Sequence, residues 1–271
     1  MGISRRGPNA LLILAAAIVA LAAIGCSKEL RWPWSSRSQK AHPERGHFER
    51  YSRPARLAII IDDLGNDPAE AKSVLALPFP VTASVLPHLD YSRQTAEQAW
   101  RHGDQVLLHL PMQPLGEASP EAIELRPGMS ARQVQSALAG MLQTVPHAIG
   151  VNNHEGSRAT SDPQLMAELM PALRARGLFF VDSRTTAATV AYDAAERAGV
   201  RAASRKVFLD DTAERGAVLA QLDLAASDAI RSGSAIAIGH PRPATIAALA
   251  EGVPRLERRG VHIVFASELV R

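Results

Sequence analysis

The sequence predicts an α/β fold of parallel strands joined by crossover helices, and three observations predict it. From Arg56 onward, short apolar runs alternate with amphipathic stretches of helical period. Helix-starting and helix-stopping residues stand at the joints between them. The spacing from one apolar run to the next leaves room for a helix, which a crossover between parallel strands needs and a hairpin does not.

The elements follow in order. A strand over Leu57–Ile61 is five apolar residues long, and Asp67-Pro68 opens a helix over Pro68–Ala76, as cap and first-turn proline. A strand over Val81–Leu86 leads to a helix over Ser92–Arg101, and a strand over Gln105–Leu110 to one over Ser130–Val145 that Ser130 caps. A strand over Ala148–Asn152 precedes Asp162-Pro163, which opens a helix over Pro163–Arg176. Gly177 ends that helix ahead of a strand over Leu178–Val181. Then come a helix over Ala187–Ala198, a strand over Val200–Ala203 and a helix over Thr212–Arg231. A strand over Ser234–Gly239, a helix over Pro243–Arg258 and a strand over Val261–Phe265 behind Gly260 complete the chain. Seven or eight such units can close as a barrel or lie open as a doubly wound sheet.

The first 55 residues read differently. Arg5 and Arg6 precede the apolar run Ala10–Ile24, the charged and apolar regions of an export signal. The run ends in "AAIGC", which resembles a lipobox and would make Cys26 a lipidated N-terminus; left uncleaved, Gly7–Ser27 is long enough to anchor the chain in a bilayer. Residues 1–26 are therefore expected to be a signal peptide or membrane anchor, and 27–55 a polar linker. In that linker Trp32 and Trp34 read either as residues that meet the membrane interface or as incidental aromatics of a disordered spacer. Either way residues 56–271 are expected outside the cytoplasm, in the periplasm or cell envelope. Cys26 is the one cysteine, so no intramolecular disulfide forms. Net charge is only +3, and basic residues crowd the first 56 positions. No basic stripe interleaved with aromatics follows, so nucleic acid is not an expected partner. No phosphate-binding glycine loop and no G-x-S-x-G elbow occurs.

Polar residues gather at the C-terminal ends of the strands. The first ends in Asp62-Asp63, the third in His109, the fourth in Asn152, Asn153 and His154, the fifth in Asp182, Ser183 and Arg184, and the seventh in His240. In parallel α/β folds that end carries the active site. Adjacent carboxylates repel unless a cation or a proton relieves them. A carboxylate with two imidazoles suits a divalent ion such as zinc and leaves coordination positions open. A second carboxylate can then act as base, a further histidine as acid, and an arginine can orient a carboxylate. Asp210 and Asp211 read first as a helix cap ahead of Thr212.

The segments "IIIDDLG", "LLHLPM", "GVNNHEGS", "LFFVDSRT", "VFLDD" and "AIAIGHPRPAT" resemble, in this order, the divergent polysaccharide deacetylases, relatives of the NodB-type deacetylases. The resemblance covers Arg56 to the C-terminus. It implies a deformed (β/α)7-type barrel of parallel strands with outer helices. It implies Asp62 as catalytic base, Asp63, His109 and His154 as metal ligands, His240 as acid, and Asp182 and Arg184 as supporting residues. Gln113 stands four residues after His109, where ordinary deacetylases carry their second metal histidine, and Glu155 stands where the divergent family has methionine. The expected function is metal-dependent removal of N-acetyl groups from an envelope glycan of the peptidoglycan type. The alternative is a binding module that grips glycan or a cell-wall partner without turnover. A third reading is a metal-dependent hydrolase of another ester or amide, and the low aromatic content, 4%, leaves few stacking platforms and slightly favours a short or non-sugar substrate.

Overall fold

The structure is a computed structural model that describes residues 54–116 and 123–271. The leader, Cys26 and the linker through Arg53 lie outside the described residues. Among the described residues, nine strands form one parallel sheet: β1 (Ala55–Leu64), β2 (Thr82–Val85), β3 (Gln105–Met112), β4 (Ala148–Glu155), β5 (Phe179–Asp182), β6 (Ala202–Ser204), β7 (Val207–Phe208), β8 (Ser234–Gly239) and β9 (Val261–Val264). Their order is β6-β5-β4-β3-β2-β1-β8-β7, with β9 also on β1. β8 runs along one edge of β1, so β9 and β2 share the other, β9 beside Ala55–Ala58 and β2 beside Ile60–Leu64. The sheet curls into a barrel whose two end strands, β6 and β7, are joined by Arg205 and Lys206 without a ladder between them. This open seam is the deformation of the barrel.

Seven α-helices of the described residues surround the sheet: α1 (Pro68–Leu75), α2 (Ser92–His102), α3 (Ala131–Thr144), α4 (Pro163–Arg174), α5 (Ala191–Arg197), α6 (Arg215–Ser232) and α7 (Pro243–Arg258). Asp67 and Asp162 accept from the backbone N–H of Ala69 and Leu165, as their cap positions require, and Ser130 and Gln133 form a reciprocal capping box. Two expected helix starts move inward. Residues 187–190 belong to a turn in front of α5, and α6 begins at Arg215 because Asp210 is engaged elsewhere, as described below.

The strands alternate between two apolar layers, as their period of two dictates. Leu57, Ile59, Ile61, Leu108, Phe180 and Ala237 face the helices and join their buried residues. Ala58, Ile60, Leu107, Phe179, Val181, Ile236 and Ile238 face the barrel interior. Gly150 makes the room for this inner layer, because a Cβ there would lie 2.6 Å from the Phe179 ring. The C-terminal residues close the N-terminal end of the barrel. Ala266, Leu269 and Val270 enter the inner layer. Ala266 N–H donates to Thr82 Oγ1, and Arg271 exchanges two backbone hydrogen bonds with Ala202.

The same period carries polar residues to the opposite mouth. Asp62 continues the inward series of Ala58 and Ile60, His109 that of Leu107, His154 that of Gly150 and Asn152, and His240 that of Ile236 and Ile238. A barrel filled from below by aliphatic side chains thus ends above in a layer of carboxylate, amide and imidazole.

Candidate metal centre

Two consecutive residues of a strand point to opposite faces, so Asp62 and Asp63 should not reach one site. The backbone resolves the conflict. The register of β1 against β2 slips between Ile61 and Leu64, and Asp63 sits in the left-handed region at φ 61°. That turn swings the Asp63 carboxylate over the barrel mouth beside Asp62. Such a conformation is costly for a non-glycine residue and persists where surrounding contacts enforce it.

Asp63 Oδ1 lies 3.2 Å from His109 Nε2 and 3.1 Å from His154 Nδ1, and the two nitrogens lie 3.1 Å apart. A triangle of this size is what three ligands about 2.1 Å from one zinc-sized ion would form. Asp63 Oδ1 is buried and makes no well-directed hydrogen bond despite its two neighbours, as expected of an atom aimed at an ion off the line joining them. Position, donor chemistry and this orphaned oxygen all fit a divalent cation.

Asn152 prepares the ligands. It is fully buried, and its amide N–H donates to Asp62 Oδ1 at 2.8 Å, which fixes the orientation of the group because a carboxylate only accepts. Asn152 Oδ1 therefore faces Ser84 Oγ at 2.6 Å and His109 Nδ1 at 3.1 Å. His109 must carry a proton on Nδ1, which leaves Nε2 as the ligand atom. The sequence reading found the asparagine but not this role. Its signal was present, since Asn152 shares the inward phase of β4 with His154.

Burial alone would lower the His109 pKa, but Asp62 and then Asp63 outweigh it and raise it to about 9. Burial alone would raise the Asp63 carboxyl, and His109 and His154 instead hold it well below the usual carboxylate range. Without metal, His109 is thus doubly protonated at neutral pH, and an incoming ion must displace a proton. Uptake should strengthen as pH rises toward 9, by about tenfold per unit for this one proton. Calorimetric titration of the metal-free protein in buffers of different ionisation enthalpy, between about pH 6 and 8, should show close to one proton released per ion from this site. Uptake indifferent to pH would contradict the assignment.

Across the mouth, His240 Nε2 lies 3.5 Å from Asp63 Oδ2. Asp210 holds the ring from behind. Its Oδ1 accepts from His240 Nδ1 at 2.9 Å, and its Oδ2 from the His240 backbone N–H and from Thr245 Oγ1, both at 2.7 Å. Asp210 is fully buried, and burial alone would raise its pKa; the His240 and Thr245 hydrogen bonds lower it instead. Burial alone would lower the His240 pKa, and the bond to Asp210 with the charge of Asp63 raises it. The helix-cap reading of Asp210 is therefore corrected: it positions His240.

The expected supporting residues, Asp182 and Arg184, stand at the turn after β5. Asp182 follows Val181, an inward residue, so it points toward the helices while Ser183 takes the inward place. Its Oδ1 accepts from the Arg184 backbone N–H and its Oδ2 from Thr189 Oγ1. It secures the turn after β5 and touches no reacting position. Arg184 is exposed at φ 51° and forms no ion pair with Asp182. The arginine built into this wall is Arg205, whose Nε donates to Ser183 O and Nη2 to Arg184 O while its guanidinium lies 5.0 Å from the Phe208 ring centre. Glu155, where the divergent family carries methionine, sits at φ 51° and lines the hollows beside the centre.

Comparison with known proteins gives the family and the fold. The model of the divergent polysaccharide deacetylases matches residues 59–270. An uncharacterized protein of Haemophilus influenzae is 44% identical over 202 residues, which cover 74% of this chain and 72% of that protein. The crystal structure of ATU2773, an uncharacterized protein of Agrobacterium tumefaciens, superposes with a TM-score of 0.76 at 25% identity, over 81% of this chain and 91% of the other. Two more distant structures share the fold. One is the catalytic domain of a peptidoglycan N-acetylglucosamine deacetylase from Eubacterium rectale, with TM-score 0.50 and 16% identity over 78% of this chain and 88% of that one. The other is BA3943 of Bacillus anthracis, a CE4 family pseudoenzyme, with TM-score 0.52 and 12% identity over 81% of this chain and 66% of that one. With the family's model spanning nearly the whole described barrel, the chain belongs to the divergent polysaccharide deacetylase family.

Proposed function

We propose that the protein is a metal-dependent deacetylase that hydrolyses N-acetyl groups of an envelope glycan of the peptidoglycan type. The observation that carries this reading is the convergence of Asp63, His109 and His154 on one point, with Asp62 beside it as base and His240 across from it as acid. A divalent ion held by these three residues, zinc by its donor set, would supply Lewis acidity toward water and the acyl carbonyl. The chain's own residues then handle the protons. Asp62, held at Oδ1 by Asn152, has Oδ2 3.6 Å from His109 Nε2 and takes a proton from water at the centre. Asp210 accepts from His240 Nδ1–H and, with the charge of Asp63, favours the doubly protonated ring, whose Nε2–H delivers its proton to the departing amine nitrogen. An exported location, read from the apolar run behind Arg5 and Arg6, supports an envelope substrate.

Acetate release from purified cell-wall glycan, measured with the metal-loaded protein and after chelation, tests the reading. Release that chelator abolishes and added zinc restores is expected, and no release from the loaded protein counts against it. A second expectation concerns Asp210. The Asp210→Asn variant lowers the His240 pKa, so the imidazole loses its Nε2 proton at lower pH. The alkaline limb of kcat should move to lower pH, while metal content stays that of the wild type. An unmoved limb would show that His240 is not the acid.

A further inference from the structure

The metal centre stands where two hollows meet, and their walls differ in charge. Asp63, His154, Glu155 and His240 line both. One hollow, about 780 Å³, runs past Glu70, Leu86, Leu89 and Ile123. The other, about 620 Å³, runs toward the barrel seam past Arg184, Arg205 and Lys206. A third, about 440 Å³, shares Arg184 and Lys206 with it and follows the seam to Arg271, with no acidic side chain in its lining. The seam is thus a basic channel leading away from the centre.

Two of the three cations of this channel form no ion pair in the fold, and the third keeps its charge at the hollow. Arg184 and Lys206 are exposed and form no ion pair among the described residues. Arg205 spends two of its donors on the carbonyls of Ser183 and Arg184 and rests on Phe208, so its charge is fixed in place; it forms no ion pair among the described residues, and Asp62 and Asp182 act on it only through space. Holding three like charges together is unfavourable, and the energy is recovered when an anion enters. The seam hollow also holds the carboxylates of Asp62, Asp63 and Glu155 at the centre and that of Asp211, whereas the third hollow, which continues it past Arg184 and Lys206, is lined by no acidic side chain. On the opposite side Glu70 faces the other hollow, and the one arginine there, Arg242, is bonded to Asp210 O.

We propose that the seam channel is a subsite for an anionic group, a carboxylate or a phosphate, on the unit next to the one whose acyl group reaches the metal centre. The proposal rests on the deacetylase reading for what occupies the centre, and it narrows the substrate to an acidic glycan. Guanidinium groups suit either anion through paired N–H donors, and Lys206 adds a mobile charge at the rim.

Binding to the zinc-loaded protein tests this without requiring turnover. The carboxylate probe is a hyaluronan tetrasaccharide with its carboxyl-reduced form as neutral counterpart. The phosphate probe is chitotetraose monophosphate with chitotetraose as counterpart. The wild type should bind at least one acidic probe about tenfold tighter than its counterpart, the better probe naming the group, and that preference should weaken with salt. In the double variant Arg184→Asn, Lys206→Ala the ratio should fall toward one. Asparagine is chosen because it tolerates the positive φ of residue 184. The single variant Lys206→Glu should shift the ratio in the same direction. Equal binding of acidic and neutral probes by the wild type, or a preference that survives in the double variant, overturns the proposal. Acetate release is followed in parallel. Preference without release from any probe keeps the subsite and defeats the deacetylase reading, whereas release without preference does the reverse.

Discussion

Replacing Asp63 by alanine is expected to abolish stoichiometric metal uptake. Asp63 is the carboxylate of the triad, and its charge offsets that of the ion and keeps His109 oriented through Nε2. Loss of an outer partner of a metal site costs roughly 10–100-fold in affinity, and loss of a direct ligand costs more. Elemental analysis after desalting should find about one ion per chain in the wild type and a trace in the variant. Alanine is also strained at φ 61°, so Asp63→Asn serves beside it, since asparagine accepts that backbone and removes the charge. Circular dichroism should show both variants folded, because the barrel core below the site is apolar and independent of the ion. Retained stoichiometric zinc in both would remove Asp63 from the ligand set.

Replacing Asp62 by asparagine should give the opposite pattern. Residue 62 shares the site but not the triad, so metal content should be that of the wild type. Asparagine can still accept from the Asn152 amide, and the buried network survives. What disappears is the proton acceptor, and kcat for acetate release should fall by about 10²–10⁴-fold. The substitution also separates a hydrolase from a module that only binds. A binder has no use for a base, and its affinity for glycan would be unchanged with no reaction to lose. Turnover unaffected by Asp62→Asn would refute its role as base.

The strands were legible because each is an apolar run bounded by turn or cap residues, and parallel connection followed from the helices between them. The exception is β7, whose two residues, Val207–Phe208, are too few to register as a run. At the site, the inward phase of each strand could in principle be read by counting in twos from its buried residues. That count places Asp62, His109, His154 and His240 at the mouth and excludes Asp182, which the polar cluster after β5 had drawn in. It also excludes Asp63, wrongly, because the left-handed turn that brings Asp63 back is a backbone event with no mark in the residue types. Asp210 was misread for a related reason. An Asp-Asp-Thr sequence before a helix satisfies the pattern of a cap, and only the three-dimensional approach of β7 to β8 shows that its partner is His240. The basic channel was invisible as well, since Arg184 and the Arg205-Lys206 pair come from separate segments and meet only across the seam.

The central claim is that three side chains from β1, β3 and β4 share one divalent ion. Crystals of the protein soaked in zinc, with data collected on both sides of the zinc absorption edge, test it most directly. The account predicts a single strong anomalous peak about 2.0–2.2 Å from Asp63 Oδ1, His109 Nε2 and His154 Nδ1. A peak bound elsewhere, or contacting His109 through Nδ1, or none at all at saturating zinc, would contradict it.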